Sequence, residues 1–233
     1  MTINATVVNQ SKDRKISAFN VSENLFKKHP KDILKFIKMS GEWAKIAFKD
    51  LDTLPSLKAF TDSITTGEKT LSFVDFGASI SRLGENITSI NEHNLNISGI
   101  RTSAFDSIWN FHKVVKWFHK CNVITFGTKF LTNITTLGGI AFGINSIEKI
   151  YTESKRLFKH KDQNEITRTY LLLKISKSIC TLAVGVFVTL NALFGFVAPG
   201  IIMLVLGTLI LTYNFSSNML NETYKIEDKL FNQ

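Results

Sequence analysis

Cysteine, proline and recognisable catalytic signatures are all scarce in this chain. Two cysteines in 233 residues, Cys121 and Cys180, cannot build a disulfide framework, and no zinc-ligand spacing surrounds them. Each opens an apolar stretch and reads as a small apolar packer. HExxH, CxxC and GxSxG are missing, as is any pair of acids inside an apolar stretch that would relay protons. Gly67-Glu68-Lys69-Thr70 has the tail of a phosphate-binding loop, but Asp62 stands where the first glycine belongs and no apolar strand precedes it. His112 and His119 lie two turns apart near Cys121 without the carboxylate or fourth ligand of a zinc site. A non-enzymatic protein without metal or cofactor is expected. The opening MTINATVVNQSKDRK has no apolar core behind a positive charge and no small-residue cleavage site, so no Sec-type signal peptide is expected either.

The longest absence is of charge. Ser178 to Asn221, 44 residues, contains no Asp, Glu, Lys, Arg or His. A bilayer core of ~30 Å needs only ~20 helical residues per crossing, so this stretch holds two crossings and a turn. The lobes run from Ile179 to Leu193 and from Ile201 to Tyr213. The turn is Phe194 to Gly200, where Pro199 lacks an N–H and Gly195 and Gly200 tolerate reversed backbone geometry. Soluble helices of this length carry a charged stripe. Neither lobe has one.

What remains is basic and helical in pattern. Residues 1–30 read as a flexible polar tail and 31–120 as a basic amphipathic helical region. Within it Lys31, Lys35, Lys38, Lys45 and Lys49 share one helical face opposite Ile33, Ile37, Ala44 and Phe48, a pattern that also writes an interfacial lipid-binding helix. Gly41 marks an expected break. Leu57, Phe60, Ile64, Leu71, Val74 and Ala78 form a seam at heptad period, with Gly67 a notch or a turn within it, so a small helical bundle is expected over about 31–90. Trp109, Trp117, Lys113 and Lys116 have the composition of a membrane–water interface. Residues 121–147 carry one charge, Lys129, and read as a membrane or buried helix, whose Gly139 and Gly143 make a close-packing GxxxG face. Residues 148–177 are a basic connector broken near His160 to Asn164, residues 178–221 the transmembrane hairpin, and residues 222–233 a short polar tail. The fold class is all-α: a helical membrane protein with an N-terminal bundle and a C-terminal hairpin.

A net charge of +9 serves nucleic acid, lipid or solubility equally, but beside apolar spans it favours the lipid bilayer and its anionic head groups. Protein partners or self-association are expected, and nucleic acid is not. Lys174 and Lys177 put both hairpin ends on one membrane face. The lobes ICTLAVGVFVTLNAL and IIMLVLGTLILTY, joined by a Pro-Gly turn, resemble the bilobed hydrophobic domain of chlamydial inclusion-membrane (Inc) proteins. That resemblance implies delivery by type III secretion into the inclusion membrane and soluble parts that meet host proteins. The late position of the hairpin, with 12 residues after Asn221, departs from many members. The stretches LGGIAFGINSIEKI (137–150) and APGIIMLVLGTLILTY (198–213) also look similar to the last membrane-associated parts of peroxisome-elongating peroxins, which implies a membrane-shaping role at the peroxisome. Ser79 to Gly84 matches that family's basic signature with one arginine only.

Overall fold

The computed structural model describes residues 30–47, 55–88, 97–159 and 164–231, which are helices joined by short turns, with no strand among them. The helices are α1 (Pro30–Ala47), α2 (Pro55–Thr88), α3 (Ile97–Lys120), α4 (Thr128–Lys159), α5 (Glu165–Phe194), α6 (Gly200–Tyr224) and α7 (Ile226–Phe231). Each of the first six packs on the next, and α1 closes the circuit against α6. Side-chain pairs fix the directions. Asn86 meets Ser103 and Asn110 meets Asp75, so α2 and α3 are antiparallel; Arg101 with Glu148 and Trp109 with Phe142 do the same for α3 and α4. Lys38 reaches Glu68 and Lys31 reaches Asp75, and Asp32 accepts from Asn214 while Trp43 donates to Thr208, so α1 runs antiparallel to both α2 and α6. The result is an up-and-down ring of six helices.

Local chemistry sets the ends. Asn164 caps α5, its side chain accepting from the Ile166 N–H at 3.3 Å, with Glu165 in the first turn. Gly195 ends α5 with φ 66°, its N–H bonded to Asn191 O, and Asn191 Nδ2 donates to Phe196 O at 3.0 Å. Pro199 precedes the first residue of α6, Gly200. The expected turn therefore contains Gly195 and Pro199, while Gly200 already belongs to the next helix.

Several expectations change. The predicted break at Gly41 is absent: α1 is continuous from Pro30 to Ala47, because its lysines and Trp43 are tied down on both sides of the glycine. α2 likewise runs through Gly67, which faces Leu34 Cδ1 at 3.7 Å. The heptad seam faces the interior only in part. Ile64 is buried and Leu71 half-buried, but Phe60, Val74 and Ala78 are exposed while Ser72 and Ser79 are buried; Leu57 lies where side chains are not described. The N-terminal helices are no separate bundle, since α1 packs against α6. The basic connector is divided: residues 148–159 complete α4, and residues 165–177 begin α5, which continues through the first lobe. The expected polar tail is also helical: α7 folds back so that Ile226 joins Tyr170 and Leu171 in a small core, with Tyr170 and Lys174 both bonded to Glu227.

Burial is distributed against the habit of soluble proteins. On α4 the stripe Leu137, Ile140, Ile144 and Ile147 is exposed, while Thr135, Gly138, Gly139, Gly143, Asn145 and Ser146 are buried. α6 turns Ile201, Ile202, Val205, Leu209, Phe215 and Met219 outward and buries Ser217. Three helices, α4, α5 and α6, are long and apolar enough to cross a membrane.

Candidate functional site

The ring holds a half-open cavity of about 1310 Å³, lined by residues of all six helices. Eight cationic side chains and six carboxylates reach its wall. α1 supplies Lys31, Lys35 and Lys38, three of the five lysines that sequence assigned to lipid. Lys31 pairs with Asp75, Lys38 with Glu68 at 3.3 Å, and Lys35 with Asp32 at 3.5 Å. Lys45 pairs with Glu42 at 3.4 Å, and Lys49 lies outside the described residues. The described part of the stripe thus meets carboxylates of its own chain, and Phe36, Ile37 and Ile46 are the large apolar residues of α1 left exposed. The cause is the paired acids of α2, a turn-matched row that offers ion pairs a bilayer surface would have to replace.

Lys113 and Lys177 differ from these: among the described residues neither enters an ion pair. Lys113 Nζ donates to Asn110 Oδ1 at 3.1 Å and sits 5.0 Å from the Trp109 ring centre. Lys177 donates to Asn214 Oδ1. Burial, helped by the positive charge of Lys31 and Lys35, pushes the Lys113 ammonium down to about 7, against the pull of Asp75 and Glu68. Lys35, Lys113 and Lys177 all line the cavity, and Lys35 and Lys177 are linked through Asp32 and Asn214.

Behind them lies a polar layer that sequence patterning did not indicate. Asn145 Nδ2 donates to Asp106 Oδ1 at 2.5 Å, and Trp109 stacks on Phe142 with ring centres 4.1 Å apart. His112 is 4% exposed, and its two ring nitrogens have no hydrogen-bond partner among the described residues. Burial first, then Lys116 and Lys113, push it down to about 4, so it is neutral at pH 7. It does not meet Cys121: His119 Nδ1 instead accepts from the Phe126 N–H at 3.2 Å, and Cys121 is exposed. The described residues contain no cluster of three metal-ligating side chains. Gly139 and Gly143 are buried against α5, where Gly185 faces them.

No protein-family model, no curated protein and no solved structure matches the chain.

Proposed function

We propose that the chain is an integral membrane protein whose 178–221 segment is a transmembrane hairpin, with α4 as a third crossing, and that it acts by binding and membrane shaping, with no catalysis. The observation that carries this is the inverted burial of α4. Four aliphatic residues at helical spacing face outward while three glycines, Asn145 and Ser146 face inward. Exposing such a stripe to water costs about 1.5–3 kcal/mol per side chain relative to burial, whereas exposing it to acyl chains costs nothing. The charges at the ends of the three helices support a common face: Lys174 reaches Glu153 at 3.6 Å and also holds Glu227. Alkaline carbonate extraction is the test. Recovery in the membrane pellet is expected, and recovery in the supernatant would end this reading.

Within it, the bilobed helix pair supports a place among the inclusion-membrane proteins, delivered by type III secretion and presenting soluble parts of the chain to protein partners of the host. A reporter enzyme fused to the N-terminus should then enter host cells from a secreting bacterium and stay inside a secretion-deficient one; equal retention in both would remove this reading. The outward Phe36 and Ile46 of α1 favour the second reading, a membrane-shaping protein that wedges an apolar helix edge into lipid.

A further inference from the structure

The cavity changes character along its length, and the pairs that set the helix directions show how. At one end Asp32 and Lys35 of α1 stand at the level of Asn214 and Lys177. Toward the other end α6 contributes Leu204 and Met203 to the wall and α5 contributes Val184, with the exposed Ile201 and Ile46 at its rim. From Asn214 to Gly200 the wall extends about 21 Å at ~1.5 Å per residue. That exceeds the roughly 15 Å that one leaflet contributes to a ~30 Å hydrocarbon core.

We propose that this cavity binds an anionic amphiphile with a phosphate head group, the phosphate held by Lys35, Lys113 and Lys177 and the acyl chain lying along Leu204, Met203 and Val184. The proposal rests on the membrane reading above, since lipid is the source from which such a tail enters. Three arguments select this occupant. Among the described residues Lys113 and Lys177 hydrogen-bond to neutral Asn110 and Asn214, with carboxylates near but not paired with them, and a phosphate oxygen accepts a charge-assisted hydrogen bond from each. Lys113, set near neutrality by its surroundings, regains its proton beside an anion, so binding is self-reinforcing at pH 7. The apolar end has no hydrogen-bonding use for a small hydrated anion, yet it lines an acyl chain with aliphatic groups. A head group without a tail leaves that end empty, and a tail without negative charge leaves the lysines unanswered.

The experiment uses the full chain purified in a zwitterionic detergent. Emission of Trp109, which lines the cavity, is followed while dioctanoyl phosphatidic acid, dioctanoyl phosphatidylcholine or inorganic phosphate is added; native mass spectrometry counts the bound molecules. Saturable binding of one phosphatidic acid, at least tenfold tighter than either of the others, is expected; tenfold corresponds to about 1.4 kcal/mol. Lys113→Gln combined with Lys177→Gln should weaken it at least tenfold, and Lys35→Gln, at a partly exposed position that folding tolerates, at least threefold. Lys120→Gln, exposed at the end of α3, should change nothing. Equal affinity for the two lipids, equal affinity for inorganic phosphate, or binding indifferent to all three lysine changes would each overturn the proposal. Carbonate extraction of the same preparations separates the failures: a protein found in the pellet that ignores phosphatidic acid removes the cavity ligand alone.

Discussion

Replacing Gly139 by alanine tests how closely α4 and α5 approach. A methyl group built there would lie 2.5 Å from Thr189 Oγ1, 3.1 Å from the Thr189 amide nitrogen and 3.2 Å from Gly185 O. The hydroxyl cannot swing aside freely, because it donates to Gly185 O at 2.9 Å. The other two atoms are backbone, so the helices must separate by a few tenths of an ångström along their tightest contact. Overpacking of this kind costs about 1–3 kcal/mol, and Gly139→Ala should fall in that range. Gly185→Ala, whose methyl would meet Gly143 N at 3.1 Å and Gly139 O at 3.2 Å, should cost a similar amount. Gly143→Ala is different although it belongs to the same GxxxG string. Its methyl meets only Leu182 Cδ1 at 3.7 Å, an ordinary contact, and alanine recovers up to ~1 kcal/mol of helix propensity, so a neutral or stabilising change is expected. The Gly139 and Gly185 changes should be less than additive, because the first opens the gap that the second needs. The assay is unfolding of the purified protein in mixed micelles of increasing dodecyl sulfate, followed by circular dichroism. Equal cost at Gly139 and Gly143, or full additivity of Gly139 with Gly185, would refute the packing argument.

His112 should make the fold acid-sensitive. Its folded value of about 4 lies below the ordinary 6.5, so the unfolded chain takes the proton first and stability is lost as pH falls from about 6.5 toward 4. At pH 5 the loss should approach about 2 kcal/mol at ~1.4 kcal/mol per pH unit, and His112→Leu should abolish that part; identical acid profiles for the two proteins would contradict the assignment. Exchanging charge between α1 and α2 should be reciprocal. Lys38→Glu places a carboxylate against Glu68 and should free α1 to protease, whereas Lys38→Glu with Glu68→Lys should restore protection; lasting sensitivity of the double variant would show that this pair does not seat the helix.

The sequence made the α5–α6 pair legible because a 44-residue stretch without charge is long-range information written locally. Gly195 and Pro199 mark the turn for the same reason: their backbone preferences act within the turn itself. The seating of α1 was not legible. Its amphipathic pattern shows one basic face, but the partners Glu68 and Asp75 stand 30 and 44 positions from their lysines, and nothing near α1 announces them. The heptad seam of α2 misled for a physical reason. Apolar periodicity locates an apolar face, and in a ring with a charged interior part of that face, Phe60 and Val74, turns outward, while Ile64 stays buried beside Ser72 and Ser79. The cavity followed from neither signal, since Lys113, Lys177 and Lys35 come from three helices that share no motif.

The closing of α1 on α6 has a consequence for the order in which the protein can be made. Asp32 meets a residue 182 positions later, and Trp43 one 165 positions later. At ~5–20 residues per second a ribosome needs about 10 to 35 s to travel that far. During that interval α1 has Glu68 and Asp75 to hold but not the helix that completes its seat, and the lysine-bearing side of the growing ring stays open on one flank. Closure is therefore a late event of biosynthesis. A chain truncated before Thr208 should bear an unsealed N-terminal helix that a folding factor or a protease can recognise.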